Sequence, residues 1–254
     1  MRWAAAAVAA LLLAACSGAG GGGAAAGQPE PRTLTVFAAA SLTEAFGELE
    51  TRFEEVHPGV DVVFGFGASS DLAQQVVHGA PAEVLATADP ATMRTVADAG
   101  LVDGEPVVFA TNVLQIATPS GNPAGIASFA DLARPGLQVV VCAPQVPCGA
   151  AAERVERATG VALDPVSEEP DVESVLGKVV TRDADAGLVY ASDVRAAGDD
   201  VAGIAFCEAD LARTEYPIAV IADVPDADLA RAFRSLVTGP SGRAVLGSAG
   251  FGRP

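Results

Sequence analysis

Between Leu34 and Leu246 the chain alternates short apolar runs with longer amphipathic ones, and this alternation limits the fold more than any other feature. Short apolar runs bounded by Gly, Pro, Asp or Ser read as strands, and apolar residues recurring at helical spacing read as helices. Strands are predicted at 34–37, 60–66, 83–88, 107–117 with Thr111 and Asn112 in its middle, 138–142, within 185–193 and at 216–221. Helices are predicted over 42–56, 71–78, 90–99, 128–132, 149–158, 172–180 and 226–237, with a further helical piece at 243–246. In the first helix Leu42, Ala45, Phe46, Leu49, Phe53 and Val56 share one face. Strand–helix alternation of this kind implies an α/β protein with mixed, mostly parallel sheets. No short repeat period is present, which excludes solenoids and propellers. No linker interrupts residues 32–254, so if there are two lobes the chain crosses between them more than once.

The first residues belong to targeting and not to the fold. A short basic head, Met1-Arg2-Trp3, precedes an apolar run, Ala4 to Leu13, that is too short to span a bilayer. Small residues then lead into Cys16, a pattern that resembles the lipobox of bacterial lipoproteins. Residues 1–15 are therefore expected to be a signal peptide and Cys16 the lipidated residue. The Gly/Ala-rich stretch 16–31 would be a flexible tether. An ordinary signal peptide with an incidental Cys is the alternative. The expected location is the cell membrane, lipid-anchored on its extracytoplasmic face. No later stretch is apolar enough over sufficient length to cross a membrane.

Half the residues are hydrophobic and 19% are charged, which fits a chain with real cores. The formal net charge is −17, and Lys178 is the single lysine. Such a field excludes nucleic acid and anionic lipid surfaces as partners. Cys142 and Cys148, in "VVVCAPQVPCGAA", are close enough to close a short disulfide loop in an oxidising compartment, stabilising by roughly 2 kcal/mol. A metal site is the rival, but His57 and His78 have no ligand spacing to the cysteines. Cys207 is left over and is expected to be a buried free thiol.

One junction recurs. In "VFAAASLTEAF" a strand runs through three alanines into Ser41 and a helix. "VVFGFGASSDLAQQV" repeats this at Ser69, "VCAPQVPCGAAAERV" at Cys148, and "SEEPDVESVL" starts a helix at Asp171-Val172. For Ser41 alone, the simpler reading is a helix cap with Glu44 closing a capping box. The other reading is that bare N–H groups at helix starts are left open for a small anion. Four such junctions are more than capping requires. An enzyme reading finds no Ser/His/Asp set, no nucleophile elbow, no P-loop and no dinucleotide fingerprint.

The runs "VFAAASLTEAF", "FGASSDLAQQVVHGAPAEVLATAD", "VPCGAAA", "DVESVL", "DAGLVYASD" and "YPIAV" resemble, in order and spacing over about residues 33–254, the periplasmic molybdate-binding proteins of ABC importers. The resemblance implies a two-lobed periplasmic binding protein of type II with its ligand in the interlobe cleft. One lobe would take 32–111 and 217–254, and the other 112–216. It implies molybdate or tungstate as ligand, no cofactor, no direct cation site, no catalysis, and a monomer that serves an ABC permease and its ATPase subunit. Carried over by position, Ser41 and Ser69 each give a hydroxyl and an N–H, Cys148 and Val172 give an N–H, and Tyr190 gives a phenol hydroxyl. Taken alone, Val172 reads as a helix core residue and Tyr190 as a strand tyrosine capping the core. Cys148 departs from the family, which often has a small residue there, and a disulfide to Cys142 would fix its loop. A ring of donors suits a dianion that only accepts. Phosphate, which keeps a proton near neutral pH, would need an acceptor that none of the five positions supplies. Sulfate is the remaining competitor, separable only by pocket size.

Overall fold

The computed structural model describes residues 32–254, so the signal peptide, Cys16 and the tether lie outside the described residues. Ten strands form two five-stranded sheets. The first half of the chain runs β1 (Arg32–Ala39), α1 (Thr43–Val56), β2 (Val60–Gly67), α2 (Ser69–Val77), β3 (Val84–Ala86), α3 (Pro90–Asp98), β4 (Val107–Asn112) and β5 (Leu114–Pro119). It continues through β6 (Val139–Cys142), α4 (Pro147–Thr159), β7 (Ser167–Glu169), α5 (Val172–Val180), β8 (Ala186–Tyr190), α6 (Ala191–Ala197), β9 (Val201–Ile204) and β10 (Thr214–Val220) to α7 (Ala227–Thr238) and α8 (Pro240–Ser248).

The sheets share one plan. The first has the order β2-β1-β3-β10-β4 and the second β7-β6-β8-β5-β9. In the first, β1 pairs in parallel with β2 and β3, while β10 is antiparallel to β3 and β4. In the second, β6 is parallel to β7 and β8, while β5 is antiparallel to β8 and β9. Both sheets are thus mixed, with parallel pairing in half of each, because β10 and β5 enter against the direction of the βαβ units.

The single strand expected over 107–117 is in fact two strands in different sheets. The chain leaves the first sheet at Val113, whose N–H is taken by the side chain of Asn112 at 3.0 Å and whose carbonyl accepts from Ala191 at 3.0 Å. It re-enters the first sheet at Thr214, opposite Asn112, so the two crossings lie side by side. The segment 185–193 is strand only to Tyr190 and then turns into α6. Cys207 is exposed, not buried, because it opens an irregular helical turn, Cys207–Ala212, on the surface.

Packing follows the strand period. Leu34, Val36, Ala38, Val84 and Ala86 face α1 and α7, where they meet Phe46, Phe53 and Phe233. Leu85 and Ala219 face the other way, onto Leu72, Met93 and Val96. In the second sheet Val139, Val140, Val141 and Cys142 are all buried, the pattern of a strand covered on both faces. This layering aims the carboxyl ends of β1, β2 and β3, and of β6, β7 and β8, into loops that open helices. Such ends are where open α/β sheets place ligands.

Candidate functional site

The loops after those strands meet at one small cavity of about 20 Å³. Ala39 ends β1 and Ala40 and Ser41 follow it, Gly67 ends β2 and Ala68 and Ser69 follow it, and Ala88 follows β3. From the other sheet come Val146 to Cys148 after β6, Asp171 and Val172 after β7, and Tyr190 at the end of β8. All five positions singled out in the sequence therefore line the same space. A cavity this size admits a compact ion but no drug-sized or nucleotide-like molecule, which would need several hundred Å³ or more, roughly. The larger groove at Arg32, Glu83, Asp223 and Asp226, about 680 Å³, sits at the amino ends of β1 and β3, away from these loops.

The helix starts at the cavity are left open. α2 begins after Ala68 and α4 after Val146, neither with a side-chain cap. The turn Ala40–Leu42 follows Ala39, also uncapped. By contrast, Asp89 and Asp226 cap α3 and α7. At α5 Asp171 accepts from the N–H of Ser174 at 2.8 Å, which leaves the amides of Val172 and Glu173 without intrahelical acceptors. The capping-box reading of Ser41 is not realised. Leu42 is the residue before α1, Glu44 is exposed, and Ser41 turns elsewhere.

Each hydroxyl has a defined setting. Ser41 Oγ lies 2.9 Å from the phenol oxygen of the buried Tyr216. Ser69 Oγ accepts from the N–H of Ala88 at 3.0 Å, so its own proton is free to point into the cavity. Tyr190 is 1% exposed, and its hydroxyl has no partner among the described residues. Burial pushes its pKa well up, so the phenol stays neutral and can only be offered as a donor or a lone pair. An unpaired buried hydroxyl costs about 1–3 kcal/mol. Tyr190→Phe is therefore expected to keep or raise the melting temperature of the ligand-free protein while lowering anion affinity. Melting curves with and without anion read both signs.

Cys148 is bonded to Cys142, with Cα atoms 5.7 Å apart. The bridge ties the first turn of α4 to the end of β6 and turns the sulfur into that link. The Cys148 N–H, in the uncapped turn, does not depend on its side chain. No Arg, Lys or His lines the cavity. Among the described residues no group of three or more His, Cys, Asp or Glu is placed to hold a metal ion.

Asp193 stands behind Tyr190. Its Oδ2 accepts the Tyr190 N–H at 2.7 Å, and burial, helped by the charge of Glu173, raises its pKa to about 7. A carboxylate raised in the folded state binds more protons folded than unfolded. Stability should therefore fall as pH rises from about 4, the ordinary carboxylate value, through about 7. Asp193→Asn should flatten that slope, with the melting temperature matching wild type near pH 4 and exceeding it at pH 8.

Ala39, Ala40, Gly67 and Ala68 are legible in the sequence as bare junctions, whereas Ala88 and Tyr216 are not singled out there. The small residues leave the backbone at the cavity bare, with almost nothing in front of it.

Residues 34–252 match the bacterial extracellular solute-binding protein family. The chain is 50% identical over 223 residues to the molybdate-binding protein ModA of Mycobacterium tuberculosis, covering 88% of this chain and 85% of that one. It is 31% identical to ModA of Escherichia coli, covering 86% and 88%. In fold it matches the periplasmic molybdate-binding protein of Azotobacter vinelandii with a TM-score of 0.77 at 23% identity, over 87% of this chain and 99% of that one. With its paired mixed sheets and an anion-sized cavity at their carboxyl ends, the chain belongs to the bacterial extracellular solute-binding proteins, in the molybdate-binding ModA family, whose members bind solutes and are not enzymes.

Proposed function

We propose that this protein captures molybdate, or tungstate, outside the cytoplasmic membrane and delivers it to the permease and ATPase subunits of an ABC importer. The observation that carries this reading is the convergence of Ser41, Ser69, Cys148, Val172 and Tyr190 on one small cavity without a basic side chain. Such a set offers N–H and O–H donors and suits an ion that only accepts. The net charge of −17 does not oppose it. Charges beyond about 8 Å are largely screened at physiological salt, whereas donors at about 3 Å in a dry cavity are not.

The two sheets are the centres of two lobes that close on the anion, with the crossings at Val113 and before Thr214 as hinge. Closure is supported by Thr43 of α1, whose Oγ1 lies 2.7 Å from Glu173 Oε1 of α5 across the two sheets. We further propose that the protein works as a monomer, held to the membrane by a lipid on Cys16. None of its described helices is long and apolar enough to cross a membrane. Cys16→Ala should release it from the membrane fraction.

Calorimetry and thermal melting with molybdate, tungstate, sulfate and phosphate test the ligand. A ligand at 100 times its Kd adds about 2.7 kcal/mol to stability. Molybdate and tungstate should each raise the melting temperature and phosphate should not. Sulfate, with shorter bonds to oxygen, should reach fewer donors at once and bind more weakly. A shift with sulfate and none with molybdate would overturn the assignment.

A further inference from the structure

We infer that Tyr216 is a positioning residue for the anion site, acting through Ser41: its phenol donates to Ser41 Oγ and so commits the Ser41 proton to the ligand. The inference rests on the reading of the cavity as an anion site. Tyr216 is fully buried on β10, does not line the cavity, and sits with its oxygen 2.9 Å from Ser41 Oγ. Its ring is held edge-on by Phe109, Phe251 and Tyr190, at centroid distances of 6.3, 5.3 and 6.0 Å. The ring position is thus fixed by packing, with Ser41 Oγ at hydrogen-bond distance from the hydroxyl and the Asn112 and Tyr190 side chains close beside it.

A hydroxyl pair can be bonded in either sense, and the assignment of the phenol as donor rests on its acidity. A phenol is far more acidic than an alkanol, so it is the better donor. Burial also holds the Tyr216 phenol in its protonated form, since its pKa is raised. With Tyr216 donating, Ser41 has no use for its own proton except the cavity. Chained donors polarise one another, so the Ser41 O–H is a stronger donor than an isolated serine would be. Ser69 is set the same way by a different group, the N–H of Ala88. Both serines are thereby fixed as donors, and a ligand that needs an acceptor finds none in them.

Four proteins test this by titration with molybdate: wild type, Ser41→Ala, Tyr216→Phe and the double variant. Tyr216→Phe keeps the packed ring and should bind about tenfold more weakly than wild type, as for loss of one oriented hydrogen bond. In the Ser41→Ala background the same change should do nothing further, because its route to the ligand is gone. This second comparison stands even if Tyr216→Phe alone were to fold poorly, since removing both partners leaves no unpaired hydroxyl. A spectroscopic reading separates positioning from mere packing. Tyr190 and Tyr216 are the two tyrosines of the chain, so Tyr190→Phe leaves Tyr216 as its one tyrosine, and Trp3 lies within the expected signal peptide. Saturating molybdate should shift its near-ultraviolet absorption to the red as its donated bond strengthens, and Ser41→Ala should abolish the shift. A further loss of fivefold or more on adding Tyr216→Phe to Ser41→Ala, or the absence of the spectral shift, overturns the assignment. Failure of wild type itself to bind molybdate would instead sink the anion-site reading.

Discussion

Ser41→Asp is expected to eliminate molybdate binding. Ser41 is 9% exposed and lines the cavity, so a carboxylate there stands within a few ångströms of the ligand. At about 4 Å and an effective dielectric near 20, each pair of like unit charges costs about 4 kcal/mol, and a dianion doubles that. The change also removes one hydroxyl donor, roughly 1.5–3 kcal/mol for a bond to a charged group. Ser41→Ala loses only the second quantity and should bind measurably but more weakly. In the ligand-free protein the new carboxylate can accept from Tyr216 and from the open amides of the turn Ala40–Leu42, so it should fold normally. Calorimetry on both variants, with melting curves, separates these cases. Near wild-type affinity in Ser41→Asp would mean that the anion does not sit at Ser41.

Gly149→Ala should both destabilise the protein and weaken binding. A Cβ at Gly149 would lie 2.0 Å from the carbonyl oxygen of Ala143 and 2.7 Å from that of Cys142. These are backbone atoms, anchored by the bond from Ala143 N–H to Glu169 and by the disulfide, so they have little freedom to yield. Overpacking of this kind costs about 1–3 kcal/mol or more, and each kcal/mol lowers the melting temperature by roughly 2–4 °C in a chain this size. Relief requires the first turn of α4 to move off β6, which carries the Cys148 amide away from the cavity. Affinity should then fall at least about tenfold, the worth of one charged hydrogen bond. Gly242→Ala is the control. Its Cβ would meet the carbonyl of Val237 at 2.0 Å, in α8, whose residues do not line the cavity. It should lower stability comparably and leave the affinity of the folded protein unchanged. Equal affinity losses in the two variants would mean that destabilisation, not the placement of α4, is being measured.

The sequence carried the elements whose ends are chemically marked. Helix 172–180 was read to the residue because Asp171 caps it and Val172, Val175 and Val179 recur on its buried face. The break at Val113 carried no mark, since "VVFATNVLQIATP" is uniformly strand-like and contains no Gly and no Pro before its end. What divides it is the side chain of Asn112 taking over a ladder position, a tertiary event. β7 and β9 are not legible because "SEE" contains no apolar residue and "VAGI" is interrupted by Gly203. Helix α6 follows β8 without a breaker, so the pattern places a strand within 185–193 and gives no sign of the helix. Cys207 was placed inside because free cysteines usually are, but its turn, with Leu211 exposed beside it, is on the surface. In the site, the bare junctions point to Ser41, Ser69, Cys148 and the helix start at Asp171-Val172. Val172 and Tyr190 were read as core residues on their own pattern, and both are in fact buried in the second core. The part of Tyr190 in the cavity comes from the resemblance alone, and that of Val172 from the resemblance together with the helix start. Tyr216 left no local signal, because its role depends on which residue β10 places opposite Ser41.

The division of the cavity between two sheets has a consequence for how cargo is let go. Ser41 and Ser69 belong to one body, and Cys148, Val172 and Tyr190 to the other. On the proposed reading the anion would act as a bivalent cross-link, its hold a product of two weak grips multiplied by an effective concentration that the double crossing at Val113 and Thr214 sets. Each half alone resembles a single helix-end anion site of the kind that exchanges quickly with solvent. A transporter that pries the bodies apart needs no competing ligand, proton or chemical energy at the ion itself. It has only to undo the avidity, and unloading becomes a mechanical act.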